Sequence, residues 1–232
     1  MRGNWFPLGL DLETTGLDPN EATILSVGAY DFERDRSFYE EIRLDYFQGN
    51  PAAFRVNGFD VTKLDNPKNS LGAQRLRMDT CDIAFAKWLS EAGYENEGGY
   101  KYIPVGKNIG SMDMQFLKKY MPKSRAKFGH RFIDINSIVF MESKKMNFGF
   151  KAIRRQIMTQ ASIVLKDTIA EKHNYAKLNR FEDFNFGVHN ALFDAMEAAV
   201  AFELLTSVES FKDFENAIAN LEEREENRKY DS

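Results

Sequence analysis

A chain of 232 residues, 43% hydrophobic and 28% charged, has a globular composition and is long enough to bury a core without covalent staples. Its single cysteine, Cys81, excludes an internal disulfide and a zinc cage of several thiolates, and no run approaches the ~20 apolar residues of a membrane helix. A net charge of -4 argues against coating nucleic acid by bulk attraction, but not against gripping it at one site.

Phe6 to Leu12 alternates loosely and reads as a first strand, ending in the turn-rich Thr14-Thr15-Gly16-Leu17-Asp18-Pro19. Ala22 to Phe32 is apolar and β-branched enough for a second strand, and Ser37 to Leu44 alternates Phe38, Glu40, Ile42 and Leu44 as a third. The short polar link Asp31–Arg36 suits a hairpin, so the three form an antiparallel meander. Residues 45–75, rich in Asn, Gly and Pro, read as a long loop with at most short helical turns. Ile83, Phe85, Ala86 and Leu89 predict a helix over Leu76–Ala92. Tyr102–Val105 is a short buried strand, followed by a Gly106-Lys107-Asn108 turn and a helix from Asp113 to Tyr120 that Pro122 stops.

Phe132-Ile133-Asp134 makes a fifth strand that runs into an apolar helix through Ile138 and Phe140. Phe150–Met158 is helical, with Lys151, Arg154 and Arg155 on its wetter side, while residues 159–186 give no clear pattern. The Ala-rich run from Asn190 to Leu205 is strongly helical by propensity, and Leu221–Ser232 is a charged, frayed tail. The whole reads as one α/β domain with a mixed sheet over residues 1–207, carrying an appendage over 208–232. Pro7 and Asp11 interrupt any secretory signal, so a cytoplasmic, reduced protein is expected.

The sharpest local signal is Leu8-Gly9-Leu10-Asp11-Leu12-Glu13-Thr14-Thr15-Gly16. Residues two apart on a strand share a face, so Asp11 and Glu13 stand together while Leu10 and Leu12 point into apolar packing. Two neighbouring carboxylates repel and are costly to desolvate, and a hard divalent cation is the simplest compensation; two solvated acids at an exposed strand end are the alternative. Asp113 opens a helix, where an acid usually caps or meets the dipole. Asp194 lies within the Ala-rich helix, with His189 five residues earlier. Five helical steps separate side chains by about 140°, so His189 must sit at or before the first turn to bend towards Asp194, and Gly187 makes that bend easy.

Asp11-x-Glu13, then Asp113, then His189-x4-Asp194 resembles the DEDDh 3′–5′ exonucleases, the family of proofreading exonuclease subunits, over roughly residues 5–207. Asp-Leu-Glu-Thr-Thr-Gly-Leu matches the first motif and His-Asn-Ala-Leu-Phe-Asp-Ala the third. Val56-Asn57-Gly58-Phe59 is similar to the family's His-Gly-Ile loop with its His replaced, and Phe132-Ile133-Asp134 to the Asp after the fifth strand. The second motif departs from pattern, because Asn108 precedes Asp113 by five residues where the family has four.

The resemblance implies a ribonuclease H-like mixed five-stranded sheet, its first three strands antiparallel, flanked by helices. It implies an enzyme that hydrolyses phosphodiester bonds from the 3′ end of single-stranded DNA and releases nucleoside 5′-monophosphates. It also implies two divalent cations, Mg²⁺ or Mn²⁺, held by Asp11, Glu13, Asp113 and Asp194. By the same resemblance Asp11 would bridge both ions, Glu13 and Asp194 would complete the site of the one that activates water, and Asp113 would act through the outer shell of the second. His189, its imidazole ordinarily titrating near ~6.5, takes the proton from the attacking water. Thr14, Gly16 and Leu17 hold the terminal 3′-OH and wedge against the last base.

DNA is favoured over RNA because the chain is longer than minimal oligoribonucleotide-degrading relatives. An exoribonuclease of the same family is the alternative, as is a catalytically silent nucleic-acid-binding or polymerase-partner module. A polymerase docked through 205–232, or a second copy of the chain, are open alternatives as partners, and no membrane is expected. The basic run Lys118, Lys119, Lys123, Arg125, Lys127, His130 and Arg131 is either a solvated surface or a phosphate track, and Phe54 and Phe59 either stack on a base or pack in the core. His173 reads as a surface residue.

Overall fold

Alternation along the first strand sets the architecture. β1 (Trp5–Thr14) sends Leu8, Leu10 and Leu12 into a buried cluster on one side of the sheet and turns Gly9, Asp11 and Glu13 to the other. β2 (Ile24–Asp31) and β3 (Arg36–Glu41) follow as antiparallel neighbours, while β4 (Lys101–Gly106) and β5 (Ile133–Asp134) run parallel to β1 and to each other. The sheet order is β3-β2-β1-β4-β5, a mixed five-stranded sheet with its first three strands antiparallel, as the sequence implied. The computed structural model describes residues 5–45, 49–56, 75–91, 101–145, 147, 149–172 and 191–206.

On the leucine side lie α2 (Met78–Glu91), α3 (Asp113–Tyr120) and α4 (Pro122–Arg125), around a core of large rings that includes Phe38, Phe85, Phe116 and Phe128. Phe38 stacks on Phe85 with centroids 4.7 Å apart. The short α1 (Pro51–Val56), within the segment read as a loop with helical turns, adds Phe54 to this core, so packing rather than base stacking claims that ring. Pro122 ends α3 and also begins α4, where its missing N–H costs nothing. The carboxylate of Asp82 on α2 accepts the α4 N–H groups of Lys123 at 3.1 Å and Ser124 at 2.8 Å.

On the opposite side lie α5 (Ile135–Lys145), α6 (Phe150–Lys172) and α7 (Ala191–Thr206). α6 runs past Met158, where the sequence reading stopped, because nothing from Gln156 to Lys172 is Gly or Pro. The third strand stops short of the expected Leu44. Ile42 instead makes an isolated parallel bridge with Leu76, which explains its apolar character. α7 turns Ala191, Ala195 and Ala199 to the sheet at helical spacing, over Gly28 and Gly9. A Cβ on Gly9 would collide with the Ala195 carbonyl, and one on Gly28 with the backbone of Ala191. Two missing side chains thus let a helix lie almost against the strands, which brings Asp194 to the acidic end of β1. Among the described residues no helix is long and apolar enough to cross a membrane.

Candidate active site

β1 delivers Asp11 and Glu13 on its α7 side, and α7 delivers Asp194 one residue before the Ala195 that touches Gly9. One carboxylate oxygen from each of the three lies within 4.8 Å of the others. Across the β1–β2 ladder Glu13 faces Ser26, whose hydroxyl is buried without a hydrogen-bond partner among the described residues.

Asp113 is the first residue of α3. It is buried, and its Oδ1 accepts the backbone N–H of Leu12 at 2.9 Å, between the two acids of β1. The turn that aims it begins at Asn108, in the left-handed region at φ 58°, whose carbonyl accepts N–H groups from Ser111 and Met112, both at 3.1 Å. The Asn108 side chain accepts from Asn136 at 3.2 Å, so this residue shapes the connection. Asp134, read as an echo of the family pattern, accepts the N–H of Asn136 at 2.9 Å and caps α5.

The acids strain one another. Burial, then the charges of Asp113, Asp194 and Glu13, push the Asp11 carboxyl well above the usual carboxylate range. Burial and the charges of Asp194 and Asp113 push Glu13 up to about 7. Asp113 is raised chiefly by burial, against the two backbone N–H groups that favour its charged form. One cation already stands among them: the Lys107 ammonium donates to Asp194 Oδ1 at 2.7 Å and to Glu197 Oε2 at 2.8 Å. Reading the sequence missed both Lys107 and Glu197. The available signals were a lysine directly after the end of a buried strand and an acid one turn beyond Asp194 on an apolar helix.

The donor set is all hard oxygen, converging and short of positive charge. That composition fits Mg²⁺ or Mn²⁺ and does not suit a soft metal. Asp11, Glu13 and Asp194 are the residues placed to hold an ion, with Asp113 behind them.

The turn after β1 is held from within. Thr14 Oγ1 donates to the Gly16 carbonyl at 2.7 Å, and Thr15 Oγ1 accepts the Thr23 N–H at 2.9 Å. Gly16 and Leu17 line an open cleft of about 480 Å³ together with Thr15, Asp18, Glu21, Ala22, Gly49 and Asn50, and Leu17 is 81% exposed. Lys119 and Tyr120 of α3 pin this loop by donating to the Pro19 carbonyl at 2.5 and 3.0 Å. Arg125 donates to the carbonyls of Phe128 and Gly129, so two members of the basic run brace loops. His130, Lys151, Arg154 and Arg155 are exposed. His189, Phe59, His173 and the 208–232 appendage lie outside the described residues.

No protein-family model matches the chain. It is 27% identical over 147 residues to the oligoribonuclease of Coxiella burnetii, covering 58% of this chain and 73% of the relative. It is 24% identical over 171 residues to the oligoribonuclease of Ectopseudomonas mendocina, covering 72% of this chain and 91% of that protein. Among solved structures, Exonuclease I from Methylocaldum szegediense superposes with a TM-score of 0.50 at 14% identity, over 93% of this chain and 43% of that one. The likeness to that structure is one of fold.

Proposed function

We propose that this protein, ribonuclease H-like in fold and kin to the DEDDh exonucleases in sequence, is a metal-dependent 3′–5′ exonuclease. Its substrates are short single-stranded nucleic acids, and its products nucleoside 5′-monophosphates. The observation that carries the reading is the convergence of Asp11, Glu13 and Asp194, backed by Asp113, in a setting that keeps the Asp11 and Glu13 carboxyls hard to ionise without a cation. Such a cluster costs stability unless an ion is bound, which disfavours a silent binding module. Chain length had favoured DNA. The names of the curated relatives favour oligoribonucleotides, and RNA is the substrate proposed here.

Asp11, Glu13 and Asp194 would hold the metal directly, and Asp113, tied to the backbone of Leu12, would support them. When bound, two divalent cations, Mg²⁺ or Mn²⁺, neutralise the phosphate and favour ionisation of the attacking water. His189 accepts the proton of that water. Thr14, Gly16 and Leu17 receive the terminal nucleotide, a role supported by the open cleft beside the turn and the exposure of Leu17.

The test is digestion of 5′-labelled single-stranded RNA and DNA with Mg²⁺, Mn²⁺ or EDTA, comparing free with blocked 3′ ends. Expected is metal-dependent shortening from free 3′ ends, faster on RNA. Faster loss of DNA would restore the DNA reading, and no loss of either with Mn²⁺ would overturn the function. His189→Ala should slow turnover about 10²-fold or more while Mn²⁺ affinity is kept, the pattern of a lost general base and not of a lost ligand.

A further inference from the structure

Lys107 follows the last residue of β4, and Glu197 stands one turn beyond Asp194 on α7. The residues that carry the family resemblance, Asp11, Glu13, Asp113, His189 and Asp194, do not include them, yet they meet at Asp194. The ammonium lies 2.7 Å from Asp194 Oδ1 and 2.8 Å from Glu197 Oε2, and all three side chains are at most 19% exposed. Paired charges held this close in a partly buried setting are well screened from water and fixed in direction. Lys107 is also, among the described residues, the positive charge acting on both Asp11 and Glu13. Lys107 therefore offsets part of the negative charge that gathers here.

We propose that Lys107, anchored by Glu197, is a positioning residue that clamps Asp194 Oδ1 and so fixes how Asp194 meets the divalent ion it shares with Asp11 and Glu13. The proposal rests on the exonuclease reading. A lysine that merely kept the place of an ion would be pushed aside on loading and would leave no trace in turnover. A clamp stays, and acts through Asp194 in the loaded protein.

The two roles separate by measurement. Lys107→Met removes one positive charge, so Mn²⁺ should bind more tightly by calorimetry, while kcat falls about 10- to 100-fold, the usual cost of losing a partner that orients a metal ligand. KM for the oligonucleotide should change much less than kcat. Lys107→Arg, which keeps the charge and the reach, should return Mn²⁺ affinity to near wild type and recover part of kcat. Glu197→Gln, which unanchors the lysine but leaves the charge, should lower kcat in the same direction by a smaller factor, and it provides a reading should Lys107→Met fail to fold by circular dichroism.

Tighter Mn²⁺ with undiminished kcat would make Lys107 a competitor for the ion and overturn the proposal. Unchanged affinity and unchanged kcat would make it a spectator and do the same. A wild-type protein that neither binds Mn²⁺ nor shortens oligonucleotides would fail the functional reading itself, before any variant is compared.

Discussion

On one side of the sheet α2 and α3 stand off on large side chains, with Phe38, Phe85, Phe116 and Phe128 filling the gap. On the other, α7 lies against β1 and β2 through Ala191, Ala195 and Ala199 with only Gly9 and Gly28 beneath. The first face gains stability from apolar area removed from water. The second has an apolar cluster of its own, with Tyr30, Val105, Ile153 and Leu192 in it, and adds a close backbone approach at Gly9 and Gly28 that sets Asp194 beside Asp11 and Glu13. Both faces thus carry apolar packing while the acids stand on the α7 face, so substitutions of Phe85 and of Gly9 should report on different properties.

The largest contrast is expected from Asp11→Asn. It should reduce turnover to background in oligonucleotide digestion, yet raise the melting temperature of the metal-depleted protein, because a half-buried acid repelled by three others is removed. Retained turnover would break the metal assignment. On the other face, Phe85→Ala should cost about 3–5 kcal/mol in urea denaturation, with turnover per folded molecule unchanged.

Acidity sharpens the comparison next. The Glu13 carboxyl keeps its proton in the folded protein up to about pH 7, whereas the unfolded chain loses it near the ordinary 4.5. The folded state therefore binds more protons in that window, and stability in EDTA should fall as pH rises through it, by on the order of 3 kcal/mol from this group, and level off above. Thermal melts at pH 5 and pH 8 measure the slope, which Glu13→Gln should flatten and saturating Mn²⁺ should offset. The smallest effect on stability is expected from Gly9→Ala, about 1–3 kcal/mol for overpacking against Ala195. Unlike Phe85→Ala it should also slow turnover, since the helix that carries Asp194 has to shift.

Much of the fold was legible in advance. The alternation of Leu8, Leu10 and Leu12 against Gly9, Asp11 and Glu13 announced both faces of β1, and the helix from Asp113 to Tyr120 has the bounds its apolar spacing predicted. Ile42 misled because burial at a single bridge looks in sequence like strand alternation, and α4 was missed because a proline that stops one helix can open the next. At the site, acids within one strand were visible as a pair, while the local sequence of Asp113 offered only a cap and the family resemblance alone grouped it with the other acids; its Oδ1 meets β1 at Leu12. Lys107 looked like an ordinary turn residue because nothing nearby in the chain hints at Asp194 or Glu197.

Strand alternation, helix propensity and the pairing of Asp11 with Glu13 depend on residues a few positions apart, so the order of amino acids settles them before any folding occurs. The bond from Leu12 to Asp113 spans 101 residues, and those from Lys107 to Asp194 and Glu197 span 87 and 90. Such meetings exist only once β4 has docked beside β1 and α7 has settled on its glycines. Distance along the chain carries no information about them, and the close packing of two backbones does.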